Sequence, residues 1–192
     1  MRFKTKHLKM KHLAFLICFL SAAPNLKSQI LTGISARFND AFIDWYVFAD
    51  SLDADKGNLT MTWQNPDNWA DWSYRLGEKT GTIKTKWSRD FESWEVRGEN
   101  KIISAQTIFS GDKRQWRVTN NDFSIELTCL NFQSGGEEWT VEDSKRGKFM
   151  IYTERQRDYR DWIIEDELDS SVSLPMKMTL VFLAVLNTVP KR

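Results

Sequence analysis

Residues 94–139 read WEVRGENKIISAQTIFSGDKRQ, WRVTNNDFSIELTCLNFQSGGEE and then W, two consecutive units of 22 and 23 residues that each open on tryptophan. In the first unit Trp94, Val96, Ile103, Ala105, Thr107 and Phe109 fall on one side of an alternating pattern, and Glu95, Arg97, Ser104 and Gln106 on the other. The second unit sets Trp116, Val118, Ile125, Leu127 and Cys129 against Arg117, Thr119, Glu126 and Thr128. Period-two alternation broken by turns rich in Gly, Asn, Asp and Lys is the signature of β-hairpins with one apolar and one wet face.

The same unit extends in both directions. Trp45, Trp72, Trp94, Trp116, Trp139 and Trp162 are spaced by 27, 22, 22, 23 and 23 residues. A strand former follows two places after each, as Val47, Tyr74, Val96, Val118, Val141 and Ile164. Near-constant self-similarity of this kind is an internal repeat, and it settles the architecture before any single motif does. Six hairpins predict about twelve strands, with Ile30–Phe38 as an additional one. Short regular links favour an up-and-down meander. The period resembles that of MORN repeats, which also stack hairpins into a sheet; their Y-x-G-x-W and paired-glycine pattern is absent here.

A curling meander removes its exposed edges by closing, and a wide closed barrel must be flattened or plugged. The expected fold is therefore all-β: an antiparallel meander of about six hairpins, closed or nearly closed into a flattened barrel filled by the tryptophan series. The C-terminal stretch departs from the pattern. Leu174, Met176, Met178, Leu180, Phe182, Ala184 and Leu186 alternate, and from Leu180 onward Val181, Leu183 and Val185 make the other face apolar too. Apolarity on both faces predicts a strand buried on both faces, a closing or central one.

Residues 1–28 read as a secretory signal peptide. Arg2, Lys4, Lys6, Lys9 and Lys11 precede the apolar run Leu13–Ala23, which is too short to span a bilayer. Cleavage after Ala23, with Pro24 following, and cleavage after Ser28 fit about equally. Residues 29–192 then form one domain, exported to a periplasm, a cell surface or the medium. Six of the 27 basic residues precede residue 29, leaving 21 against 26 acids. Such an acidic balance argues against nucleic acid and anionic lipid as the main partner.

Chemistry is defined mostly by exclusion. Both histidines, His7 and His12, lie in the signal segment, so the mature chain has no histidine for a catalytic relay or a transition-metal site. Cys129 shares a face with Trp116 and Leu127 and is expected in the core, not as a nucleophile. No phosphate-binding or dinucleotide glycine pattern appears, and no cofactor is implied. The acids before the tryptophans (Asp44, Asp71, Glu138, Asp161) recur with the repeat and read as solvated strand-end charges and edge protection. Two acidic turns, one with Asp50, Asp53 and Asp55 and one with Glu165, Asp166, Glu167 and Asp169, do not match a calcium loop.

Trp63, Trp69 and Trp87 lie outside the regular series. The turn Pro66-Asp67-Asn68-Trp69 is placed to lift its indole into solvent, where indoles stack on sugars or anchor partners. Trp69 with Asn65, Asp67, Asn68 and Asp71 is accordingly the candidate ligand site. Three readings follow. The leading one is a non-catalytic exported β-repeat module with a binding or structural role, whose partner is a glycan, a small apolar ligand or another envelope protein. The alternatives are a calycin-like barrel carrying a small apolar ligand and a carboxylate-only glycoside hydrolase. A membrane-spanning barrel fits poorly, because most strands offer too few outward apolar residues for a lipid-facing band.

Overall fold

The computed structural model describes residues 29–39, 41–50, 52, 57–63, 69–131 and 137–191. Twelve strands follow one another: β1 (Leu31–Ala36), β2 (Asp44–Ala49), β3 (Gly57–Met61), β4 (Asp71–Leu76), β5 (Lys79–Thr85), β6 (Ser93–Gly98), β7 (Lys101–Phe109), β8 (Asp112–Thr119), β9 (Ser124–Asn131), β10 (Glu137–Asp143), β11 (Gly147–Arg155) and β12 (Asp158–Asp166). A helix, α1 (Leu174–Thr188), ends the described chain. Each strand pairs antiparallel with its sequence neighbours, and β1 closes on β12 through Gly33↔Ile163, Ile34↔Trp162 and Ser35↔Asp161. The meander is a closed barrel. Closure leaves no edge to protect, so the edge-protection part of the reading of the acids does not apply.

The strand total arises differently from six two-strand units. Five tryptophan units each supply a hairpin, the sixth supplies only β12, and β1 takes the remaining place. The second half of the sixth unit is α1, which corrects the expected closing or central strand. Every residue from Leu174 to Leu186 is buried, so α1 is the barrel's plug. A segment apolar on all sides satisfies a period of two and a period of 3.6 equally well, so periodicity could not choose between them. Length and punctuation do. Thirteen consecutive buried residues exceed an ordinary strand, Pro175 stands in the first turn, and Pro190 follows the C-cap Val189.

In an antiparallel meander all even strands start at one rim, where all odd strands end. The six tryptophans near the starts of β2, β4, β6, β8, β10 and β12 therefore ring the lumen near that rim, and all six are buried. An indole buried this deeply needs a partner for its N–H. Five donate Nε1–H to the carbonyl three residues back, at Phe42, Trp69, Phe91, Lys113 and Tyr159, over 2.8–3.3 Å. Trp139 instead donates to Thr188 Oγ1 of α1 at 3.0 Å. Phe182 of α1 meets Trp72 and Trp94 edge-on, with ring centroids 5.6 and 4.7 Å away.

The other end of α1 is held by charge. Lys177 and Asp166 are fully buried and 2.7 Å apart. Lys177 Nζ also donates to Gln29 O at 3.2 Å, and Asp166 accepts from the backbone N–H of Leu31 at 3.0 Å and of Leu168 at 3.3 Å. One ion pair thus ties the plug to both strands of the closing seam.

Candidate functional site

The proposed ligand residues are not a site in the form expected. Trp69 is 6% exposed, not lifted into solvent. It stands three residues before Trp72, the place held by Phe42, Phe91 and Tyr159 in other units, and its carbonyl accepts the Trp72 indole at 2.9 Å. Its ring tilts against that of Trp72 at 5.7 Å, with Lys191 Nζ 5.9 Å from the ring centre. The repeat therefore already uses Trp69 as packing. Asp71 is tied down by Lys84 at 2.9 Å and accepts from Thr62 Oγ1 at 3.1 Å. Asn65, Asp67 and Asn68 lie outside the described residues.

The other two irregular tryptophans behave differently. Trp63 and Trp87 are 64% and 65% exposed, on the β3–β4 and β5–β6 links. Phe38 on the β1–β2 link and Phe109 at the end of β7 are 47% and 61% exposed. All four belong to consecutive odd-to-even links, so the topology gathers them on one arc of the rim that carries the tryptophan ring. Large apolar groups exposed together on a protein surface usually mark an interaction site. A sequence signal for them existed. Phe38, Trp87 and Phe109 each stand seven residues before a core tryptophan, and Trp63 stands nine before.

Charge along the aromatic arc is nearly balanced: Arg37, Lys86, Arg89, Lys113, Arg114 and the tail's Lys191 stand with Asp44, Asp71, Asp90, Glu92 and Asp112 among the described residues. The last three serve the loops. Glu92 accepts from Gly111 N at 3.0 Å and Ser110 Oγ at 3.3 Å, Asp90 caps the Glu92 N–H, and Asp112 pairs with Arg114 at 2.8 Å. Arg114 holds the Asp112 carboxyl below its usual range, at about 2. At the opposite rim Glu78, Glu99, Asp122, Asp143, Glu167 and Asp169 outnumber the lysines and arginines of the same turns.

The barrel wall between the rims is mixed, with Ile102, Leu130 and Ile163 exposed among charged and polar positions. Lys84, Arg97, Arg117 and Glu126 face outward from β5, β6, β8 and β9, and Arg117 pairs with Glu126 at 2.9 Å. No helix among the described residues is long and apolar enough to cross a membrane. An open hollow of about 890 Å³ lies on the barrel wall, lined by Asn58, Ser73, Arg75, Thr82, Arg97 and Lys101 among others. Its Arg97 is engaged by Glu95 at 2.7 Å.

The acids before the tryptophans do not work as a set. They sit on β2, β4, β10 and β12; Asp44 binds Arg37 at 2.9 Å and Thr60 Oγ1 at 2.7 Å, while Asp161 accepts from Ser35 Oγ. Cys129 is half-buried and packs against the core, and burial pushes its thiol up to about 12. A thiol so raised is a poor nucleophile at neutral pH. No family model, curated protein or solved structure matches this chain.

Proposed function

We propose that the chain is a non-catalytic exported β-repeat module of the cell envelope or exterior that works by binding through its surface. The observation that carries this reading is the plugged lumen. A calycin-like carrier holds its ligand on the barrel axis, and here that axis is filled by α1, with Phe182 against Trp72 and Trp94. Surface remains, and the aromatic arc is the part of it least suited to water. Paired carboxylates for glycoside hydrolysis have little support, because Asp44, Asp71 and Asp161 each serve a local partner.

The test is fractionation of cells making the full chain or its Trp63→Ser/Trp87→Ser variant. The wild type is expected outside the cytosol, held with the envelope, and beginning at Pro24 or Gln29 by N-terminal sequencing. The variant is expected to be exported yet released into the soluble fraction. A cytosolic product that keeps Met1 would overturn export, and envelope retention unchanged by the variant would overturn binding through the rim.

A further inference from the structure

We propose that the hollow on the outer wall of β3–β7 is a binding site for a short acidic saccharide. The inference shares with the reading above only that the molecule binds through its surface, and it places this binding on the wall, away from the aromatic rim. Strand register builds the site. Asn58, Arg75 and Thr80 form one outward row across β3, β4 and β5, and Ser73, Thr82, Arg97 and Ile102 form a second across β4, β5, β6 and β7. Between the rows Gly81 pairs with Gly98, and on the lumen side the Tyr74 ring lies in the space their side chains would take. Glu99, Asn100 and Lys101 border the hollow toward the far rim, and its volume of about 890 Å³ is ample for a short oligosaccharide.

The chemistry of the lining selects the ligand. Asn58, Ser73, Thr80 and Thr82 present amide and hydroxyl groups that both donate and accept, and none makes a side-chain hydrogen bond to another described residue. Saccharide hydroxyls donate and accept in the same way. Apolar side chains in the lining are confined to Ile102 and Tyr74, too few to anchor an apolar ligand. No exposed aromatic is present on which nucleic-acid bases could stack. Charge then selects an acidic saccharide over a neutral one. The lining holds Arg75, Arg97 and Lys101 against Glu99. Arg97 is engaged by Glu95 at 2.7 Å and Glu99 by Lys79 at 2.9 Å, whereas Arg75 and Lys101 have no carboxylate partner among the described residues. These two free cations stand on β4 and β7, three strand spacings or about 14 Å of sheet apart. An arginine fork takes a carboxylate or sulfate through two parallel N–H donors. A saccharide with acidic groups along its length satisfies both cations and the hydroxyls between them. A neutral sugar leaves the cations to water, and a lone inorganic anion reaches one of them.

The experiment is isothermal titration of the purified protein with galacturonate, hyaluronan and sulfated heparin oligosaccharides, with maltotriose as the neutral control and sodium sulfate as the simple anion. At least one acidic oligosaccharide is expected to bind about tenfold or more tightly than maltotriose or sulfate, and more weakly as salt rises. Arg75→Gln/Lys101→Gln should lower that affinity about tenfold or more, and Ser73→Ala/Thr82→Val should lower it severalfold. Thermal midpoints should stay close to the wild type, because none of the four side chains is buried. Trp63→Ser/Trp87→Ser should leave the affinity unchanged, which separates this site from the rim. Absence of binding by every acidic oligosaccharide overturns the proposal. So does equal affinity for maltotriose or for sulfate, and so does binding that Arg75→Gln/Lys101→Gln leaves unchanged. None of these results bears on envelope retention through Trp63 and Trp87, so the two readings fail separately.

Discussion

Trp116 illustrates why one residue type recurs six times. Its ring faces the lumen, its N–H is satisfied 2.8 Å away by Lys113 O of its own strand, and Val118 and Leu127 pack beside it. The largest side chain available thus fills the barrel without leaving a polar atom unpaired. Trp116→Ala should cost about 3–5 kcal/mol, read as a fall in thermal midpoint. Tyr74 occupies the analogous inward position two places after Trp72 and uses space released by glycine. A Cβ on Gly81 would lie 2.3 Å from the Tyr74 ring, and one on Gly98 would lie 2.3 Å from its hydroxyl. That hydroxyl is buried with no hydrogen-bond partner among the described residues, and burial raises its pKa. Tyr74→Phe is therefore expected to leave stability within about 1 kcal/mol of the wild type or to raise it. Gly98→Ala should destabilise by about 1–3 kcal/mol, and Tyr74→Phe should relieve part of that cost. Additive urea midpoints for the two changes would contradict the contact. At this scale the sequence is a good guide to the core and a poor one to the surface. Alternation reveals which residues face inward but does not separate Trp63, Trp69 and Trp87; their distance from the next core tryptophan does, three residues for the buried Trp69 and nine and seven for the exposed Trp63 and Trp87.

The strands were legible as elements because each carries its own alternation and its own turn. The helix was not, since α1 is defined by what surrounds it. A fully buried helix has no polar face to mark its period, and its two prolines, 175 and 190, are the local signs that remain. Its lone charge, Lys177, is equally opaque in sequence, where a lysine among methionines reads as an interruption. In the fold it finds Asp166 at 2.7 Å and the Gln29 carbonyl at 3.2 Å. Lys177→Met should be costly, about 3–5 kcal/mol, because it strands a buried carboxylate. Lys177→Met combined with Asp166→Leu should recover much of that loss, since an apolar pair requires no desolvation of charge. Denaturant unfolding of the two variants decides the matter. A double variant as unstable as the single would mean that the backbone N–H groups of Leu31 and Leu168, deprived of their carboxylate, matter more than the ion pair itself.

Closure is the property that separates this molecule from a linear repeat protein. In an open stack each hairpin touches only its neighbours, stability is roughly a sum over units, and losing one unit costs one unit's share. Here β1 pairs with β12 across more than a hundred residues, and all strands surround the same plug. The repeat period reveals the units, and the edge argument favours closure, but nothing local in β1 names β12 as its partner. Gly33↔Ile163 is a pairing the whole ring creates. Removing one complete unit, residues 94–115, excises one tryptophan, β6 beyond Ser93, all of β7 and the start of β8, and the frame restarts on Trp116. An open array would survive this shortened, with an ordinary cooperative melt. A closed ring must either shrink around a helix whose volume is unchanged or fail to seal, exposing β1 and β12 as edges. The deletion variant is therefore expected to lose its cooperative thermal transition and to associate through those edges, measured by calorimetry and light scattering. A monomeric deletion variant with a sharp melt would show that the hairpins, not the ring and its plug, hold the fold together.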